Sequence, residues 1–459
     1  MTIFLSISRG FLARNFLQND FYRLLKQSCK KIVILTPAYQ DHAFIEQFGG
    51  PQVEFVPLMA PHITFLDTLF SRVFKFIVYN TNTMMMSGWG FLNNKNRILK
   101  YTKYLFLRLI FQPLSKARFI RKFLRYVDYL FLQEKEVSYY RGLIKKYKPD
   151  VVFSTCIVDD TEAALIKAAR KEGVMTTTLP KSWDNPSKSY FRAKVDSLIV
   201  WSEFMAEQMK KYQDYKHSEI TIMGVPQFDY YTDKNRILSR EEYCRRVGLD
   251  PHKKIIFYGS EGKEMPEDVD IVEVIYDFIE RKELVEECQI FIRPHFGYKH
   301  DHLKFEKFFG KKNVIIDSLF KLQNAFPDQW DYSVEHMNNF LNSIYHASMI
   351  VNIGSTLTLD AIALDRPVVV IKFDGYIKKP LEKSVERWYI CDYFSELLEY
   401  HAAAEAHSVD ELREQINAFL KNPDLFKDQR ATVRSFFCHA VDGKAGERLF
   451  KRIQSLVNV

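Results

Sequence analysis

Residues Tyr345 to Phe373 read Y-H-A-S-M-I-V-N-I-G-S-T-L-T-L-D-A-I-A-L-D-R-P-V-V-V-I-K-F. Met349 to Ile353 is a short apolar run of strand type, Gly354-Ser355-Thr356 is turn and cap chemistry, and Leu357, Leu359, Ile362 and Ala363 make a brief helical stripe. Pro367 and the β-branched run Val368 to Ile371 form a second strand. A strand, a glycine turn, a short helix and another strand in so small a span is the repeating unit of a parallel, doubly wound sheet.

The turn carries the chemical reading. Gly354, Ser355 and Thr356 set hydroxyls and unpaired backbone N–H groups at the carboxyl end of a strand, where α/β folds hold phosphate. Asp360, one turn on, is placed to accept from ribose hydroxyls. Taken alone, Ser355 or Thr356 is equally an ordinary helix cap and Asp360 a solvated first-turn acid. The surrounding sequence decides between these readings.

Outward from this stretch the same grammar repeats. Lys254 to Tyr258 is a strand followed by Gly259-Ser260-Glu261-Gly262, and Gln289 to Ile292 is a strand that ends in Arg293-Pro294-His295. Nearer the amino terminus, apolar runs at 3–6, 31–35, 53–58, 149–155, 174–179, 196–201 and 220–223 alternate with helical stripes. We expect two Rossmann-like domains: residues 1–235 for an acceptor and 236–435 for a nucleotide donor, with 436–459 a terminal helix crossing back to the first. Two such sheets in series imply a central cleft outside the carboxyl ends of their strands.

Composition excludes several classes. A chain of 459 residues that is 47% hydrophobic and 27% charged is folded rather than disordered. Its six cysteines are scattered with no C-x-x-C, which suits a reducing cytosol. No apolar run is long enough to span a membrane, and the opening M-T-I-F-L-S-I-S-R-G predicts no secretory leader. Charge is uneven: Thr68 to Val127 holds twelve Lys or Arg and no Asp or Glu, so with a net charge of +8 the rest of the chain carries −4.

Residues 68–132 read as a basic, aromatic, helical insert, with an apolar glycine-broken loop over 80–96. Helices mixing Phe, Leu and Tyr with Lys and Arg suit anionic lipid head groups. The alternative is that their apolar faces pack on the amino-terminal sheet. Nucleic acid fits least, because neither a stacking motif nor helix-turn-helix spacing accompanies the charge.

Several stretches together resemble a known group. Asp196 to Tyr230 pairs D-S-L-I-V-W-S-E-F-M with I-M-G-V-P-Q-F-D-Y; I-F-I-R-P-H spans Ile290 to His295; Asn352 to Val370 lies in the opening stretch; D-G-K-A-G-E-R spans Asp442 to Arg448. With K-S-W-D-N (Lys181 to Asn185) and A-R-N-F-L (Ala13 to Leu17), this order is similar to GT-B-fold glycosyltransferases. More narrowly, it resembles the surface-polysaccharide group related to CDP-glycerol glycerophosphotransferases and UDP-GlcNAc 2-epimerases. The resemblance covers most of 1–66 and 149–459 but not the basic insert. It implies that Ser355 and Thr356, with Gly354, hold a donor diphosphate and Asp360 the ribose, that Gly259, Ser260 and Gly262 line the same seat, and that Arg293 and His295 meet the phosphates or leaving group. The group often has a second Pro after Arg-Pro-His; Phe296 stands there instead.

The chemistry needs a charge sink for the departing diphosphate and a base for the acceptor hydroxyl. Arg293 and His295 supply cationic and hydrogen-bonding groups, so neither a metal nor a cofactor beyond the activated donor is implied. Each has a bland alternative, a surface ion pair for Arg293 and a capped strand end for His295. The spacing of His295, His300 and His302 around Asp301 matches no standard metal site. Asp159 is the favoured base, with Asp160, Asp41 and His42 as rivals and an N-cap as the bland reading. Trp183, Asp184 and Asn185 would shape the acceptor site, Trp183 being equally a core residue. The expectation is a metal-independent glycosyltransferase, peripheral on the inner face of the cytoplasmic membrane, moving a sugar from a nucleotide sugar to a glycan or glycolipid acceptor. The alternatives are a CDP-activated polyol-phosphate transferase and a catalytically silent scaffold.

Overall fold

A computed structural model of the chain describes residues 1–86, 97–295, 297–298, 300–381, 383–390 and 392–457. The chain divides into two compact units, one of Met1–Asp229, Asn324–Pro327 and Lys444–Val459, the other of Tyr230–Gln323 and Asp328–Gly443.

In the first unit seven parallel strands, β1 (Thr2–Ser6), β2 (Lys31–Thr36), β3 (Val53–Pro57), β4 (Val151–Ser154), β5 (Met175–Thr178), β6 (Ser197–Val200) and β7 (Ile220–Ile222), lie in the order β3-β2-β1-β4-β5-β6-β7. The Val, Ile, Leu and Phe runs of β1, β2, β4 and β6 are buried on both faces, as a helix-covered parallel sheet requires, while the edge strands β3 and β7 are half-buried. Order reverses between β1 and β4, so the loops leaving those two strands flank the crevice where such sheets bind ligands.

The long connection from β3 to β4 carries helices Phe65–Ile77, Thr81–Met86, Arg97–Lys116, Arg118–Phe131 and Glu134–Tyr147. Residues 87–96, most of the glycine-broken loop of 80–96, lie outside the described residues. Phe74, Ile77 and Val78 pack with Tyr190 and Tyr212, and Leu114, Ile120 and Leu124 join them. A buried charge network reinforces this seam: Arg192 donates to Asp67 and Asp128 at 2.8 Å each, and Lys167 pairs with Asp128. Burial, opposed by Asp128, leaves the Lys167 ammonium lowered to about 8.

The last helix, Ala445–Val457, belongs to this first unit. Asp229 accepts from the Ala445 and Gly446 amides at 3.0 and 2.7 Å, and Arg448 donates to the Met223 carbonyl at 2.9 Å. The V-P-Q-F-D and D-G-K-A-G-E-R stretches, 217 residues apart, therefore close on each other.

The second unit repeats the pattern with β8 (Lys254–Gly259), β9 (Cys288–Arg293), β10 (Val314–Ile316), β11 (Met349–Asn352), β12 (Val368–Ile371) and β13 (Ala404–Ala406), all parallel, in the order β10-β9-β8-β11-β12-β13. Reversal falls between β8 and β11, which pair from Met349↔Ile256 to Val351↔Tyr258. The fold is α/β, two Rossmann-like domains of the GT-B class. No helix among the described residues is long and apolar enough to cross a membrane.

Candidate active site

The second unit brings the small-residue turns together at its switch point. The turn after β11 passes through Gly354, whose φ of +54° is a left-handed conformation that disfavours a side chain. Thr356 then precedes a helix of only seven residues, Leu357–Ala363, and no side-chain bond caps it. The cap reading of that residue is thus not what is seen, and the hydroxyls of half-buried Ser355 and exposed Thr356 lie at the strand end. Gly259, opposite at the end of β8, has no room for a Cβ, which would sit 2.3 Å from Leu357. At Gly262 (φ +67°) a Cβ would meet the Tyr298 ring at 2.0 Å.

Asp301 joins the β8 and β9 loops. Its carboxylate accepts from the Ser260 hydroxyl at 2.7 Å and from the His295 amide at 2.8 Å, while Lys304 lies 3.1 Å away. The Gly262 amide donates to the Ser260 hydroxyl at 3.0 Å, so that side chain is both donor and acceptor. Asp268 anchors the same loop by accepting from the Glu261 amide at 2.9 Å, with Lys304 at 2.9 Å.

Glu261 sits within hydrogen-bonding range of Ser355. Burial, reinforced by Asp268, pushes its carboxyl up to about 8, and burial holds Asp268 up at about 6 against the pull of Lys304. A carboxylic acid that keeps its proton at pH 7 can donate a hydrogen bond to an anion. Glu261, Asp268, Asp301 and Lys304 form the part of the site that sequence reading misses. They share no motif, and only the Glu beside Gly259-Ser260 could have signalled it.

His295 stacks on Tyr298 (centroids 4.4 Å apart) and meets Trp330 edge-on at 6.0 Å. Burial lowers its imidazole below the ordinary value, with Asp301 opposing, so the ring is neutral at pH 7. Arg293 is 8% exposed, donates to Asp317 at 2.8 Å, contacts the His336 ring nitrogen at 3.2 Å and lies over Phe340. Its ion pair is buried rather than superficial. Asp360 is buried too and accepts from the Tyr231 hydroxyl. Residues 296 and 299 lie outside the described residues, so the loop path at Phe296 is not described. Among the described residues no group of His, Cys, Asp and Glu could hold a metal.

In the first unit a cavity of about 790 Å³ opens at the ends of β1 and β4, lined by Ser8, Arg9, Lys75, Asp159, Lys181 and Asn185 among others. Asp159 precedes helix Asp160–Lys171 yet makes no side-chain cap. It accepts from Arg9 at 2.9 Å and lies 3.6 Å from Lys181. Burial would raise its carboxyl, but Lys181 and then Arg9 outweigh burial and hold it below the usual range. Beneath it Glu162 accepts from the Ser6, Ser8 and Ser154 hydroxyls at 2.5, 2.6 and 2.7 Å, tying β1 to β4. Asn185 lines the cavity, Asp184 pairs with Lys188, and Trp183 is 1% exposed against Phe204, so the indole belongs to the core. His42 is 95% exposed, and Asp41 caps its own helix through the Phe44 amide.

A family model, CDP-Glycerol:Poly(glycerophosphate) glycerophosphotransferase, matches residues 168–455. The chain belongs to that family. Membership spans every second-unit residue described above and Lys181 to Asn185, while Arg9 and Asp159 precede it. A comparison with curated protein sequences gives no match. Among solved structures the chain is similar to UDP-GlcNAc 2-epimerase from Neisseria meningitidis bound to UDP-GlcNAc (10% identity, 99% of this chain and 100% of that one, TM-score 0.57). It is also similar to UDP-GlcNAc 2-epimerase from Methanocaldococcus jannaschii (13%, 99% and 99%, 0.54) and to a glycosyltransferase from Rickettsia africae (11%, 99% and 98%, 0.52). At these identities the likeness is one of fold, and it confirms the two Rossmann-like domains of this family member.

Proposed function

We propose that the chain is a transferase that moves a nucleotide-activated group onto a surface-glycan acceptor. The observation that carries this is the convergence of Gly259, Ser260, Gly262, His295, Ser355 and Thr356 on the switch point of the second sheet, where a nucleoside diphosphate would be held. Asp360 would take the ribose. His295 and Lys304 would face the phosphates, with Arg293 holding the end of β9 in place. These groups offer enough donors for a departing anion that no metal is required.

Two donors fit such a seat. A nucleotide sugar would release a nucleoside diphosphate as the acceptor hydroxyl attacks the sugar carbon. A CDP-linked polyol phosphate would release CMP as the hydroxyl attacks phosphorus, with neutral His295 as a base; family membership favours this second donor. In the first unit, Asp159 between Arg9 and Lys181, with Asn185 in the same cavity, would receive the acceptor.

Membrane attachment belongs to the same reading. Phe65, Phe106, Leu109 and Phe119 are 81, 62, 75 and 74% exposed on helices that hold no acid between 68 and 127. An anionic leaflet suits that combination, and a lipid-linked acceptor on the inner face of the cytoplasmic membrane would give it a use.

The test is calorimetric binding of CDP, CMP, UDP and GDP, followed by identification of the nucleotide released from CDP-glycerol or a nucleotide sugar. Saturable binding of at least one nucleotide, lost in Ser355→Ala, is expected. A chain that binds none of them is not a transferase of this kind.

A further inference from the structure

Helix Arg118–Phe131 packs Ile120 and Leu124 on the core but also turns charges inward and leaves aromatic rings outside. Arg121, Arg125 and Asp128, spaced one and two turns apart, are its buried residues, while Phe123 is 63% and Tyr126 58% exposed. A surface helix of a soluble protein ordinarily turns its aromatic residues inward and its charges outward. An aromatic face left in water marks a place where something apolar docks.

Where this helix meets helix Asp160–Lys171 and residues 192–194 there is a cavity of about 430 Å³, the scale of a small-molecule site. Lys122, Arg125, Lys167, Arg170, Arg192 and Lys194 line it, against the single acid Asp214. Most of these charges are answered elsewhere. Lys167 and Arg192 meet Asp128, Lys194 meets Glu219 at 2.7 Å, Arg170 lies 3.5 Å from Asp196, and Arg121 holds Asp214 at 2.5 Å.

Lys122 and Arg125 differ. Among the described residues neither forms an ion pair. Arg125 donates to the Phe191 and Gln213 carbonyls at 3.0 and 3.2 Å and lies 3.9 Å from the Tyr190 ring centroid. Lys122, exposed on the helix beside Phe123, and Tyr126, one turn further along, put a cation and an aromatic ring on the cavity wall.

We propose that this cavity binds the phosphate headgroup of one anionic phospholipid, whose acyl chains lie along Phe119, Phe123 and Tyr126. The inference rests on the membrane reading above and narrows it from a charged surface to a stoichiometric site. A second copy of the chain is a poorer occupant, because residues 68–127 hold no acid and self-pairing of this face would set like charges together.

The test uses the full chain with phosphatidylcholine vesicles with and without phosphatidylglycerol, and separately with the deacylated headgroup glycerophosphoglycerol. Lys122→Gln is the informative variant because Lys122 is exposed and its loss leaves the fold intact. Lys116→Gln, also exposed and outside the cavity, removes the same charge. Losing one surface charge weakens vesicle binding about fivefold, and losing the headgroup contact as well takes Lys122→Gln to at least about twentyfold. Saturable one-to-one headgroup binding that Lys122→Gln abolishes and Ser355→Ala leaves unchanged supports the site. Vesicle binding equally weakened by both Lys variants, or no headgroup binding, overturns the site and leaves the membrane reading standing. Equal competition by inorganic phosphate overturns the lipid assignment. No binding to anionic vesicles overturns both.

Discussion

The Ser260 hydroxyl donates to Asp301 at 2.7 Å, which couples the loop after β8 to the loop after β9. The same carboxylate also holds the His295 amide and faces Lys304, so one side chain orients three groups of the proposed donor site. Asp301→Ala leaves the Ser260 hydroxyl and the His295 amide unanswered, each costing about 1–3 kcal/mol, while Lys304 keeps Asp268. We expect a loss of about 3 kcal/mol in unfolding free energy and at least tenfold weaker nucleotide binding, whereas Asp301→Asn, which retains an acceptor oxygen, loses roughly half as much. Denaturant unfolding and calorimetry read the two effects separately. Nucleotide affinity unchanged in Asp301→Ala would remove the β8–β9 coupling from the site.

Glu261 carries the pH dependence. Its folded-state carboxyl is raised to about 8 by burial and by Asp268, against an ordinary value near 4.5, so between those limits the native state holds a proton that the unfolded chain has lost. Native stability attributable to this group therefore falls as pH rises from about 5 to about 8. Glu261→Gln keeps the neutral shape, so its melting temperature relative to the parent should rise across that window. Nucleotide binding by the parent should weaken above pH 8, where a buried carboxylate beside Ser355 repels phosphate, and Glu261→Gln should not show this. Parallel pH profiles for the two proteins would count against it.

Arg293 separates positioning from direct contact. Removing the guanidinium strands the Asp317 carboxylate in a buried site, so Arg293→Ala should cost about 3–5 kcal/mol. The double variant Arg293→Ala, Asp317→Ala should recover most of that stability. If nucleotide binding returns with it, Arg293 acts through the end of β9; if binding stays absent in a stable protein, the guanidinium touches phosphate.

Much of this was legible because parallel strands buried on both faces are written as runs of Val, Ile and Phe, and because glycine turns punctuate them. β13 was not, since Ala404-Glu405-Ala406 is an edge strand of three residues with no β-branched member. The turns at Gly259 and Gly354 could be placed at strand ends from sequence, but the acids and the lysine behind them could not. Asp268, Asp301 and Lys304 acquire meaning only when the short 3-10 helices Pro266–Asp268 and Asp301–Phe308 bring them against the β8 loop. Trp183 reads equally as an acceptor-site aromatic or a core residue, and its ring fills core space against Phe204. The basic stretch was legible as charge, while the inward turn of Arg121 and Arg125 depends on Asp214 and Tyr190, residues far away in sequence.

Asp159 supplies the sharpest test of the acceptor side. Between Arg9 and Lys181 its carboxylate stays ionised well into acid, which makes it a weak base but a firm anchor for two cations. If it takes the acceptor proton, Asp159→Asn lowers kcat by about 10²–10⁴-fold with KM nearly unchanged. If it only orients Arg9 and Lys181 toward an anionic acceptor, the same change raises KM for the acceptor several-fold and leaves kcat within a factor of a few. In either case nucleotide affinity, which the proposed function assigns to the second unit, should not move, and a fall in CDP or UDP binding in Asp159→Asn would show that the two roles are not divided between the units in this way.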